Sequence, residues 1–187
     1  MPAKAIFLAC ILLAVSARPG VTAPLQTSLP AQSDLEQIER LTNRLRSAHG
    51  LAPVHVDISL CRAAAGHALD MARNHYFGHT RRTGGLFGES TPGSRANAEG
   101  YRWNVIEENI AYGQPTGVSA FFAWVSSRPH FRNLVSPSVR ELGIGIARNR
   151  ETNQPYWVMM LGSRQESFTP PPEFTRVTFG PVSPFGF

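Results

Sequence analysis

The segment Leu142-Gly143-Ile144-Gly145-Ile146-Ala147 alternates apolar side chains with glycines. Period-two alternation is a strand signature, and glycines along a strand imply close approach by another element. A second apolar run, Tyr156 to Leu161, follows a polar stretch from Arg148 to Pro155 that contains Asn149 and Asn153. Two such runs joined by a polar connection predict an antiparallel hairpin.

Helices precede this hairpin. Leu35, Ile38, Leu41, Leu45 and Ala48 recur at helical spacing, Ser33 with Glu36 forms a capping-box pattern, and Gly50 ends the run. The spacing predicts a helix over about Asp34–His49. A second is predicted over about Ile58–Asn74, capped by Asp57 or Ser59, with Leu60, Ala64, Ala68 and Met71 as its buried stripe. Phe77 to Ser94 reads as a glycine-rich connection, and Arg95 to Glu99 as a short helix. Val105 to Tyr112 reads as a strand and Val118 to Ser126 as a helix ended by Pro129. Strands that follow helices in this order predict an α+β fold, a small antiparallel sheet covered by helices.

The ends read differently. Lys4 followed by apolar Ala5–Val15 and the small residues Val21-Thr22-Ala23 forms an export-signal pattern, with cleavage near Ala23 and Ala17 as the alternative cut. The apolar run is too short to span a bilayer as a helix. A retained anchor, or lipidation at Cys10, are the competing readings. The expected organisation is a signal peptide over 1–23, a linker over 24–33, a folded domain over 34–165 and a proline- and phenylalanine-rich tail over 166–187. That tail carries Pro170, Pro171, Pro172, Pro181 and Pro184 with no amphipathic period, so it is expected to be extended or disordered. Loss of Lys4 and Arg18 with the leader lowers the formal charge from +5 to about +3 and leaves arginine as the mature chain's basic residue. The arginines are scattered, which argues against nucleic acid as a partner. Cys61 lies among alanines and reads as a buried thiol, so a mature domain must be held by packing rather than by disulfides.

Chemistry is sparse. The His-Glu-x-x-His helix, the Gly-x-Ser-x-Gly elbow, the Walker loop and paired Cys-x-x-Cys are all missing. Of six histidines, His49, His55, His67 and His75 read as structural or solvent-facing. His79 and His130 each follow a predicted helix end among polar neighbours. Glu107 and Glu108 are adjacent in an apolar strand, so they should point to opposite faces. A buried carboxylate there needs a histidine, a metal or an arginine, and spacing does not choose among them.

Taken together, several segments resemble the CAP superfamily, which includes cysteine-rich secretory proteins, insect venom antigens and plant pathogenesis-related proteins. They are Asn43-Arg44-Leu45-Arg46 with Gly50-Leu51, Leu60–Asn74, Tyr76-Phe77-Gly78-His79-Thr80, Gly100-Tyr101 and Glu108-Asn109-Ile110-Ala111-Tyr112-Gly113. Trp124, Ser127-Arg128-Pro129-His130, Asn133-Leu134, Gly143-Ile144-Gly145 and Tyr156-Trp157 complete the series. The likeness covers about Leu35–Gly162 and is strongest to the short, secreted bacterial branch. It implies a three-layer α-β-α sandwich with an open cleft. It also implies that His79, Glu108 and His130 converge there as candidate metal ligands for Zn2+ or another divalent ion. Three departures stand out. Ser127 occupies the place of a second glutamate, Arg128-Pro129-His130-Phe131 replaces the bacterial Pro-Gly-His-Arg order, and the family's disulfides are missing.

The leading expectation is a secreted or periplasmic, monomeric binding module for a metal, a lipid or an envelope component. One alternative is a metal-assisted hydrolase of peptides or cell-wall material with Glu108 as general base. The other is an envelope interaction protein with a vestigial cleft. No catalytic residue is assigned outside the hydrolase reading.

Overall fold

A computed structural model describes residues 32–82 and 89–165. The stretches expected to be a signal peptide, a linker (up to residue 31) and a proline-rich tail (from 166), and residues 83–88 with the glycine pair at 84–85, lie outside the described residues. Five helices are α1 Gln32–Ala48, α2 Ile58–Asn74, α3 Pro92–Ala98, α4 Gly117–Val125 and α5 Arg128–Leu134. The strands are β1 His55–Val56, β2 Arg81–Arg82, β3 Glu89–Ser90, β4 Trp103–Tyr112, β5 Glu141–Arg148 and β6 Pro155–Arg164.

The main sheet has the order β1-β5-β6-β4. Its three long strands are antiparallel, and the two-residue β1 joins β5 in parallel, so the sheet is mixed. Alternation along the strands divides the core in two. Leu142, Ile144, Ile146, Trp157, Met159 and Leu161 pack with α1, α4 and α5. Val158 and Met160 pack with Leu60, Ala64, Ala68 and Met71 of α2 and Ala96 of α3. Helices therefore cover both faces, and a full burial such as that of Leu60 or Ile144 contributes roughly 1.5–3 kcal/mol. Among the described residues no helix is long and apolar enough to cross a membrane.

The glycines of β5 do what their spacing predicts. A Cβ at Gly143 or Gly145 would run into backbone atoms of α2, at Leu60–Cys61 and Ala64–Ala65. The alanines of α2 and the glycines of β5 together let the helix axis sit unusually near the sheet. Asp57 caps this helix by accepting from the Leu60 N–H at 3.0 Å.

One helix departs from expectation. Pro129 does not mark a stop. It lies in the first turn of α5, where its missing N–H removes no intrahelical bond. His130 is therefore inside a helix rather than in a loop. Arg46 fixes the segment that follows α5. Its guanidinium is fully buried and donates to the carbonyls of Ala52 (2.8 Å), Leu134 (3.0 Å), Ser136 (2.9 Å) and Val139 (3.3 Å).

Candidate functional site

The site forms at β4 because β4 is an edge strand. Its inner edge pairs with β6, and alternate carbonyls on its outer edge would otherwise lack partners. Side chains from the α4–α5 layer take them: the Asn133 amide donates to Glu108 O at 3.2 Å, and the Trp124 indole to Ile110 O at 3.0 Å. Asn133 also donates to Asn109 Oδ1 (2.8 Å), and the Asn109 amide donates to the carbonyl of His130 (3.1 Å). These bonds lock α5, and His130 with it, against the strand that carries Glu108. Asn133→Ala is expected to cost about 1–2 kcal/mol in urea denaturation. An unchanged midpoint would mean that water replaces the amide.

The adjacent acids diverge as their alternation predicts. Glu107 is half-buried, and burial pushes its carboxyl up while Ser136 and Arg46 oppose the rise. Glu108 faces α2 and α3, with a side chain 1 % exposed. Three donors converge on its carboxylate. His67 Nδ1 donates to Oε2 at 3.0 Å, Arg95 Nη2 to the same oxygen at 2.9 Å, and His79 Nδ1 to Oε1 at 2.9 Å. Burial alone would raise the Glu108 carboxyl. The hydrogen bonds from His67 and His79 and the charges around it prevail, and it is held down at about 2.

Each donor is fixed in turn. The second ring nitrogen of His67 faces the carbonyl of Gly78 at 3.1 Å, so both its nitrogens meet oxygen acceptors. Arg95 also donates to the carbonyl of His79 (2.9 Å) and to Ser90. The loop bearing His79 is thus clamped from α2 and from α3. His79 remains 47 % exposed. Because its Nδ1–H is committed to Glu108, Nε2 is the ring nitrogen left to meet a ligand. Burial lowers the pKa of His130, and the neighbouring His79 lowers it further, which favours a neutral imidazole there.

Phe77, two residues before His79, and Tyr112 of β4 are about half exposed, their ring centroids 6.1 Å apart. Tyr112 also packs on its cross-strand partner Tyr156 at 4.7 Å.

The three residues named from sequence are thereby placed. His79 touches Glu108, and His130 lies within electrostatic reach of His79. Among the described residues no hydrogen bond joins the His130 ring to the carboxylate. Two residues of the cluster, His67 and Arg95, were not foreseen. The open choice of partner for Glu108 is resolved by two histidines and an arginine together. Their only advance signal was the need of a buried acid for cationic company.

Comparison with known proteins gives one family and a consistent fold. The family model described as CAP, the Cysteine-rich secretory protein family, matches residues 39–161. The uncharacterized protein YkwD of Bacillus subtilis is 30 % identical over 138 residues, covering 72 % of this chain and 52 % of YkwD. The chain thus spans about half the length of that relative. An extracellular protein containing a SCP domain from Bacillus anthracis superposes with a TM-score of 0.62 at 28 % identity, over 78 % of this chain and 45 % of that one. An outer surface protein of Borrelia burgdorferi gives the same TM-score of 0.62 at 23 % identity, over 71 % of this chain and 94 % of that one, a likeness of fold.

Proposed function

The chain belongs to the Cysteine-rich secretory protein family, and from that premise we propose that it is an extracytoplasmic binding domain. Its cleft offers the imidazoles of His79 and His130 to a divalent metal or to a lipid or other component of the envelope. One observation carries the reading: Glu108 holds His79 by Nδ1 while the His79 side chain stays 47 % exposed, which leaves Nε2 for a ligand. A carboxylate behind a ligating imidazole is the usual support of a metal-binding histidine, fixing both tautomer and ring orientation. The leader pattern supports export, as do an extracellular and an outer-surface protein among the solved relatives.

The donor set bears on how a metal would be held. Glu108 has both oxygens engaged, and among the described residues no group of three histidine, cysteine or acidic side chains is placed to hold a metal ion. A cation would rest on His79 Nε2 and His130, with water or ligand completing the shell. Such a site suits a borderline ion such as Zn2+, held weakly and exchangeably. Calorimetric titration of the full chain with zinc is expected to give a single saturable event that disappears in His79→Ala/His130→Ala. Equal weak binding by both proteins would sink the metal reading.

The same geometry weighs against Glu108 as general base of a hydrolase. A base working near neutrality needs a pKa near neutrality and an open oxygen. Glu108 is held at about 2 and has three donors on it. Turnover of peptidoglycan or peptides that vanishes in a folded Glu108→Gln variant would restore the hydrolase reading.

A further inference from the structure

At the end of the sheet where β4 begins and β6 ends, a polar cavity of about 860 Å³ opens. A second, of about 300 Å³, adjoins it, and the two share Asn104 and Gln165. None of their lining residues belongs to the Glu108 cluster, so this groove is separate from it.

The groove is built rather than incidental. The pairing of β4 with β6 slips between Trp103 and Val105, which leaves Asn104 as the extra residue of a β-bulge. Bulges re-aim side chains, and this one sits where the two cavities meet. The walls are tied together. Gln165 donates its backbone N–H to Arg102 O at 3.0 Å. Arg164 lies 4.5 Å from the centroid of the Tyr101 ring and pairs with Asp57 (2.5 Å) and Glu141 (3.3 Å). Tyr101 donates its hydroxyl to Glu141 at 2.6 Å. The charges of Arg164, Asp57 and Glu141 are consumed within this wall.

Two guanidiniums are left over. Arg140 donates to the backbone carbonyls of Pro137 and Val139 at 2.5 and 2.8 Å. Arg102 is exposed. Among the described residues no carboxylate pairs with either. Burial disfavours the charge on Arg46, repulsion from Arg140 adds to this, and Glu107 opposes both only in part. An anion in the groove would relieve that positive field.

We infer that this groove binds an acidic polysaccharide, a carboxylate-bearing glycan chain. Two adjoining cavities fit a chain better than a single ion. Asn104, Gln165, Ser138 and Ser163 are uncharged partners for sugar hydroxyls. Trp103, half-buried with its indole N–H bonded to Gly93 O at 3.1 Å, supplies an aromatic wall for a pyranose ring. Arg102 and Arg140 supply the forked donors that match carboxylates. Single-stranded nucleic acid is recognised by successive stacking aromatics, and among the described residues the groove offers one.

The test uses the full chain and polygalacturonate as probe, with neutral dextran, inorganic phosphate and oligothymidine as competitors. Polygalacturonate is expected to bind with an affinity that falls as salt rises. Arg102→Gln/Arg140→Gln should weaken it by about tenfold or more. Arg102→Gln alone, an exposed change that breaks no described bond, should weaken it in the same direction. His79→Ala should leave it unchanged, which separates this site from the proposed cleft. Undiminished binding by the folded double variant would overturn the inference. So would equal affinity for dextran, displacement by inorganic phosphate, or preference for oligothymidine.

Discussion

Gly145→Ala is expected to cost the domain about 3–5 kcal/mol, placing it among the rare single-methyl changes that threaten folding. The added carbon would fall inside contact distance of the backbone of Ala64 and Ala65. A flexible side chain could swing away at little cost, whereas a helix backbone moves only as a body. Relief therefore means lifting α2 off β5 and opening the layer that holds Leu60, Ala64, Ala68 and Met71. Gly143→Ala meets Leu60 and Cys61 in the same way one turn earlier, and the double variant should fail to fold. Gly66 is the internal control. It is exposed in the middle of α2, and a Cβ there meets nothing within 4 Å. Gly66→Ala should raise stability by roughly 0.5–1 kcal/mol through helix propensity alone. Urea midpoints of the variants decide the matter. A wild-type midpoint for Gly145→Ala would mean that the helix does not sit as close as described.

Those glycines also mark how far sequence carried. Elements with strong local signals were legible: α2 has its capping aspartate and alanine stripe, and β5 and β6 have their period and polar turn. The α+β class followed, and the three layers followed from kinship. The α5 helix was missed because Pro129 was weighed as a breaker, although a first-turn proline is compatible with a helix. The strands β1, β2 and β3 are two residues each, too short to have any period. For the site, His79, Glu108 and His130 came from the resemblance. His67 stands 41 residues from Glu108 and Arg95 stands 13 away. Their convergence depends on α2 and α3 packing over the same end of β4, a tertiary fact with no trace in local spacing. Arg46 is similar: nothing around it in sequence announces a guanidinium satisfied by backbone carbonyls some 90 residues away.

Glu108→Ala is expected to be as damaging as Gly145→Ala, at about 3–5 kcal/mol, and for an electrostatic reason. It removes the carboxylate on which His67, His79 and Arg95 converge, leaving the nearly buried Arg95 guanidinium and the fully buried His67 ring without that counter-charge. Glu108→Gln keeps the shape but turns an amide N–H₂ toward groups that are themselves donors, so it should recover little. The pH dependence identifies the cause. Glu108 is held at about 2 in the folded protein, against 4.5 for the ordinary carboxyl. A depressed folded value contributes stability that is fully present above about pH 4.5 and is lost as pH falls toward 2, amounting to roughly 3 kcal/mol. The gap in unfolding free energy between wild type and Glu108→Gln should therefore be widest above about pH 5 and close steadily on acidification. The ion pairs Asp70–Arg81 and Asp57–Arg164 are present in both proteins and cancel in that difference. A gap that stays constant from about pH 6 to about pH 3 would show that packing, rather than ionisation of Glu108, sets its cost. The proposed preorganisation of His79 by an ionised carboxylate would then lose its physical basis.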